Sequence, residues 1–147
     1  MEFLAVNAPV AASGPGGTAA RLGFVAGQVV QEFGYDDDVD EDLRDAIVDT
    51  VGGDLEYDDF TGVADAVLLW WRDEDGDLAD ALVDGLPNLA EGAAIVLLTP
   101  KPGRAGKVDA ADIEEAALTA GLHPTGTVNA AADWAATRLV PPKSVRR

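Results

Sequence analysis

The densest sets of ligand-type side chains in this 147-residue chain are Asp36-Asp37-Asp38 and Asp73-Glu74-Asp75-Gly76. Spaced carboxylates of this kind bind calcium when oxygen ligands fall at positions 1, 3 and 5, with glycine at 6 and glutamate at 12. Counting from Asp36, the first three ligands fit, but Glu41 stands at the sixth place and Ile47 at the twelfth. Counting back from Gly76 as the sixth place puts Trp71 first and Leu82 twelfth. Neither run is a calcium loop. Both are expected to be solvated turns and helix starts, and no metal site is expected.

Nucleophilic catalysis also lacks a candidate. The chain has no cysteine and one histidine, His123, which follows a predicted helix end. A triad needs a base, a nucleophile and a group that orients the base, and nothing here supplies that set. His123 is expected to be structural or neutral. A dinucleotide or S-adenosylmethionine site would need a glycine-rich turn after the first strand, so that backbone can approach the cofactor closely. The first strand instead runs into Phe33-Gly34-Tyr35-Asp36-Asp37-Asp38, with one glycine and three aspartates. No cofactor is expected, and no catalytic residue is assigned.

What remains is positional. Arg72 follows one strongly apolar segment, and Lys101 with Arg104 follows another. Ligands of open α/β sheets collect beyond the carboxyl ends of the strands. Arg72, Lys101 and Arg104 are therefore the candidate ligand-binding residues, for a small anion or a partner's acidic side chain. The competing expectation is that local carboxylates such as Asp73, Asp75 or Asp77 hold each cation.

Charge narrows the partners. The net charge is −17, and 21 of the 27 acidic residues lie between Glu32 and Glu91 beside only Arg44 and Arg72. Such a surface repels phosphate backbones, so nucleic-acid binding is not expected. Screening should relieve the self-repulsion, and the melting temperature should rise from low salt to about 0.5 M sodium chloride. A flat or falling trend in a thermal scan would mean local pairing instead. No apolar run is long enough to span a membrane, and the cysteine-free composition is compatible with a cytosol.

The elements that must position these residues follow from periodicity. Gly27–Gly34 reads as a short strand bounded by glycines. Val39, Leu43, Ile47 and Val51 recur every four positions and predict a helix over 39–51, with Asp38 as N-cap and Glu41 completing a capping box. A short edge strand is allowed at Leu55–Tyr57. Ala66–Trp71 and Ala94–Leu98 are apolar on both alternating faces, so each is a strand covered on both sides. Trp70 and Trp71 then enter opposite layers, and they and Trp134 are assigned to the core. A helix starts at Asp77 and carries Leu78, Leu82, Leu86 and Leu89 towards Glu91-Gly92, with Pro87 kinking or splitting it. Asp109 caps another helix, closed at Gly121. Strands at Thr125–Asn129 and Trp134–Val140 form an antiparallel hairpin. The expected fold is α/β: a three-layer Rossmann-like sandwich with a mainly parallel sheet ending in an antiparallel hairpin. Residues 1–20, rich in Gly, Pro and Ala, are expected to be a disordered tail, 21–142 the single domain and 143–147 a basic C-terminal tail.

Arg21-Leu22-Gly23, Val39-Asp40-Glu41-Asp42-Leu43-Arg44-Asp45, Val67-Leu68-Leu69-Trp70-Trp71-Arg72, Leu97-Leu98-Thr99-Pro100-Lys101 and Asp133–Val140 together resemble the domain of unknown function 3052 family. The resemblance spans about Arg21 to Lys143. It implies a cytoplasmic actinobacterial protein and brings no activity. More loosely, Asn88-Leu89-Ala90-Glu91-Gly92 with the buried strand that follows is similar to part of the methyltransferase-like Rossmann fold, and the terminal hairpin fits that fold. Two functions stay open. One is a non-enzymatic binding or regulatory module, touching a protein partner through its acidic face or basic C-terminus. The other is an anionic-metabolite binder or degenerate methyltransferase-like enzyme.

Overall fold

The structure is a computed structural model and describes residues 14–141. Its strands are β1 (Val30–Phe33), β2 (Ala64–Trp70), β3 (Leu89–Pro100), β4 (His123–Asn129) and β5 (Trp134–Val140). Its helices are α1 (Gly14–Arg21), α2 (Glu41–Val51), α3 (Leu78–Asp84) and α4 (Ala110–Thr119), with a 3₁₀ turn at Asp73–Asp75. All five strands form one sheet in the order β1-β2-β3-β5-β4. β1–β2 and β2–β3 pair in parallel, whereas β3–β5 and β5–β4 are antiparallel. The sheet is thus mixed rather than mainly parallel. The predicted hairpin forms and ends the sheet on one side, with β5 turned back against β3 and β4 outermost.

Alternation in β2 builds the two cores. Ala66, Leu68 and Trp70 pack with Val30, Val96, Leu98 and the α2 residues Leu43 and Ile47. Val67, Leu69 and Trp71 pack with Ile95, Leu97, Leu139 and residues of α3 and α4. Helices thus cover both faces of the sheet. Trp70 and Trp71 enter opposite layers, because successive strand side chains point to opposite faces.

Several boundaries move for local reasons. α2 is capped by Asp40, whose side chain accepts from the Leu43 N–H at 2.9 Å, and not by Asp38. Asp38 is engaged by Arg72 instead. α3 stops at Asp84, and Leu89 opens β3 rather than extending the helix. Pro87 cannot donate to a helix, and its ring would collide with the carbonyl four residues back. Asp109 stands at the N-cap position of α4 without a capping bond; its carboxylate pairs with Lys107 at 2.8 Å.

The tail expected over residues 1–20 is corrected over its last third. Residues 14–21 form α1, with Thr18 and Ala19 buried, and the chain continues through buried Leu22 and Phe24. Packing against α2 supports a segment whose own glycines disfavour helix, a tertiary override of weak propensity. Residues 1–13 and the basic tail 143–147 lie outside the described residues. Deleting 1–21 should cost about 2 kcal/mol, or roughly 4–8 °C in melting temperature for a chain of this length. An unchanged melting curve would show that α1 contributes no packing.

Candidate functional site

The carboxyl ends of β1 and β2 meet the loop Gly34–Asp40, where a Rossmann-type ligand would sit. Gly34 has φ +79, and a Cβ built on it would stand 2.1 Å from the Trp70 carbonyl oxygen. The single glycine of this loop is therefore required by the protein's own backbone: the exit of β1 lies against the end of β2, where no side chain fits.

Arg72, two residues past the end of β2, fixes that approach. It is buried, at 6% exposure. Nη1 donates to the Gly34 carbonyl at 2.7 Å and to the Trp70 carbonyl at 3.3 Å. Nε donates to Asp38 Oδ2 at 3.0 Å, and Nη2 donates to Asp38 Oδ1. Asp75 accepts from the Arg72 backbone N–H at 2.9 Å and lies 3.4 Å from Nη1. The guanidinium also sits 5.3 Å from the Trp134 ring centroid. Trp134 in turn donates Nε1–H to the Asp38 carbonyl at 3.1 Å and meets Trp70 edge-on. One arginine thus ties β1, β2, the loop and the start of β5 together. Its hydrogen bonds hold the Asp38 carboxyl below the usual carboxylate range.

Beside it lies a second network that periodicity did not disclose. Glu32, buried within β1, accepts from Arg44 Nε at 2.7 Å, from Arg44 Nη2 at 2.8 Å and from Trp70 Nε1 at 2.9 Å. Arg44 also donates to Glu41 at 2.8 Å and stacks 4.6 Å from the Tyr35 ring centroid. Tyr35 donates its hydroxyl to Glu41 at 2.9 Å. That bond raises the Tyr35 phenol above its ordinary value, while Arg44 lowers Glu41. The available signal was Gln31-Glu32, two adjacent polar residues in a short strand, both buried in the structure. Buried polar groups imply dedicated partners.

Lys101 and Arg104 are placed elsewhere in the same neighbourhood. Arg104 pairs with Asp133 at 2.6 Å and is 58% exposed. Lys101 donates its backbone N–H to the Asp133 carbonyl at 2.9 Å. Both thus meet Asp133, while Arg72 stacks on the adjacent Trp134 and turns inward to Asp38. Of the carboxylates expected beside Arg72, Asp75 is a partner; its bidentate partner is Asp38, 34 residues away in sequence.

Two clefts flank this edge. One of about 310 Å³ lies between Phe33, Leu69, Arg72 and Asp84. The other, of about 510 Å³, is lined by Glu32, Gly34, Tyr35, Arg44, Tyr57 and Asp58. A dinucleotide crevice forms where strand order reverses. Here, among the described residues, β1 is an edge strand, flanked on its outer side by the bridge of Gln31 to Glu56. Among the described residues no group of His, Cys, Asp and Glu is arranged to hold a metal ion, and no helix is long and apolar enough to cross a membrane.

Comparison with known proteins agrees with this geometry at the level of fold. Residues 19–143 match the model of DUF3052, a protein family of unknown function. Uncharacterized proteins of Mycobacterium tuberculosis and Mycobacterium bovis are 50% identical over 135 residues, covering 92% of this chain and 85% of theirs. The chain belongs to the DUF3052 family. Solved structures similar to it include the pyocyanin biosynthetic protein PhzM, at TM-score 0.65 and 10% identity over 86% of this chain and 54% of that one. The mitomycin 7-O-methyltransferase MmcR gives TM-score 0.62 and 11% identity over 90% of this chain and 54% of that one. A chain from the complex of the Haloferax volcanii Trm112 methyltransferase activator with a putative methyltransferase gives TM-score 0.62 at 15% identity, covering 86% of this chain and 88% of that one. This chain spans about half the length of the first two. At these identities the likeness is one of fold, and fold does not carry chemistry.

Proposed function

We propose that this member of the DUF3052 family is a non-enzymatic binding or regulatory module, built on a methyltransferase-like Rossmann scaffold and working in the cytoplasm with a protein partner. The observation that carries this reading is the occupation of the loop after β1 by the chain's own groups. Gly34 is pressed on Trp70, and Asp38 is held by Arg72. A cofactor loop needs free backbone N–H groups and room for close approach. This loop offers a backbone already packed and a row of carboxylates. Titration calorimetry with S-adenosylmethionine and with S-adenosylhomocysteine should give no saturable heat at millimolar ligand. A micromolar dissociation constant for either would overturn the reading in favour of a degenerate methyltransferase-like enzyme.

The alternative of an anionic metabolite held by Arg72, Lys101 and Arg104 rests on their position after the strand ends alone, because Arg104 is paired with the Asp133 carboxylate and Lys101 meets Asp133 only through its backbone N–H. It is weakened at Arg72, whose donors are spent on Asp38, Gly34 and Trp70. Arg104 and Lys101 at the surface give little net attraction against this chain's charge.

A further inference from the structure

We propose that the cleft between Tyr35 and Tyr57 on the outer side of β1 takes an arginine side chain from a protein partner's basic segment. This names the partner chemistry for the binding-module reading and rests on it.

The cleft is prepared from within. Gln31, 1% exposed in β1, donates Nε2–H to three carbonyls of one turn: Tyr57 at 3.2 Å, Asp58 at 3.2 Å and Phe60 at 3.3 Å. Asn88 reaches the same Phe60 carbonyl and lies 3.3 Å from Gln31 Oε1. Two backbone bonds, Glu32 N–H to Glu56 at 2.9 Å and Glu56 N–H to Val30 at 2.8 Å, fasten the preceding residues to the strand. A buried amide is thus committed to holding an exposed turn. Its product is Tyr57, 80% exposed, whose hydroxyl makes no hydrogen bond among the described residues. Tyr35, across the cleft, is 53% exposed. Aromatic side chains set in the open on a backbone turn that a buried amide fastens are poorly explained by folding alone, and exposed tyrosines are what interfaces use as anchors.

Charge selects the occupant. Arg44 in the cleft is matched by Glu32 and Glu41, so Asp58 is left in excess, with Asp59 next to it in the chain and Asp36 and Asp37 following Tyr35. An anion would meet net negative potential, and a cation net attraction. The chain itself shows how such a site reads a guanidinium: Arg44 stacks on Tyr35 while its N–H groups bond two carboxylates. A second guanidinium on the Tyr57 side, bonded to Asp58, repeats that arrangement, combining cation–π contact with charge-assisted hydrogen bonds.

The probe is the blocked pentapeptide Gly-Arg-Gly-Arg-Gly, titrated into the ¹⁵N-labelled full chain at 0.15 M sodium chloride and followed by amide chemical shifts. Shift changes should concentrate at residues 34–36 and 56–59. Tyr57→Ala and Asp58→Asn should each weaken binding at least fivefold while keeping native spectra, whereas Asp112→Asn on α4 should leave it unchanged. Shifts spread evenly over the acidic surface, affinity untouched by Tyr57→Ala and Asp58→Asn, or no shifts at all would each overturn the cleft. None of these would bear on the module reading, which stands or falls on the cofactor titration.

Discussion

Gly34→Ala should lower stability by about 3–5 kcal/mol, near the upper end for a single substitution, and the melting temperature by roughly 8–15 °C. Two costs add. The residue sits at φ +79, a region that costs an L-residue about 1–2 kcal/mol. The new methyl would also stand 2.1 Å from the Trp70 carbonyl oxygen, which belongs to a central strand paired on both sides. Backbone at that position cannot yield without disturbing β2 against β1 and β3. Gly27→Ala is the matched control, with φ +91 and nothing within 4 Å of the built Cβ. It should cost only the conformational part, about 1 kcal/mol. Chemical denaturation of both variants measures the difference. Equal losses would mean that the close approach to Trp70 contributes nothing.

Arg72→Met should cost about 2–3 kcal/mol. Removing one partner from a fully buried pair costs roughly 3–5 kcal/mol; the figure is reduced here because the Asp38 side chain is 54% exposed and returns to water. The Gly34 and Trp70 carbonyls lose their side-chain donor, and the Trp134 ring loses its cation. Arg72→Lys should recover only part of this, since a single ammonium cannot reproduce the fork on Asp38. Acid offers an independent readout. Arg72 lowers the Asp38 pKa in the folded state, so this contribution is present above the unfolded carboxylate value of about 3.9 and fades as pH falls through the lower folded value. The wild type should therefore lose more stability than Arg72→Met between about pH 4 and 2. Parallel acid limbs for the two proteins would show that the pair is not linked to folding.

How far the site was legible depends on sequence distance. Leu43, Ile47 and Val51 marked the inner face of α2 because a helix repeats every 3.6 residues, and that arithmetic needs no knowledge of the rest of the chain. The same holds for the doubly buried runs of β2 and β3, and for the opposite faces taken by Trp70 and Trp71. Arg72 was singled out because it follows a buried strand. Its role could not be read, because its main partner, Asp38, is 34 residues away. Asp38 looked like a helix cap by local pattern, and the arginine arriving from β2 shifted that duty to Asp40. Glu32 and Gln31 were visible as adjacent polar residues in a short strand, but Arg44 and the turn at Tyr57–Phe60 reach them only in three dimensions.

By itself the sequence determined the α/β class, the two strands covered on both sides, the terminal hairpin and the acidic charge between Glu32 and Glu91. These are properties of side-chain period and composition, set within a dozen residues. Only the tertiary structure decided that β5 inserts beside β3, that α1 packs where a loose tail was expected, and that Gly34 lies against the Trp70 backbone. Those outcomes depend on which distant surfaces meet, and short-range pattern holds no information on such pairings.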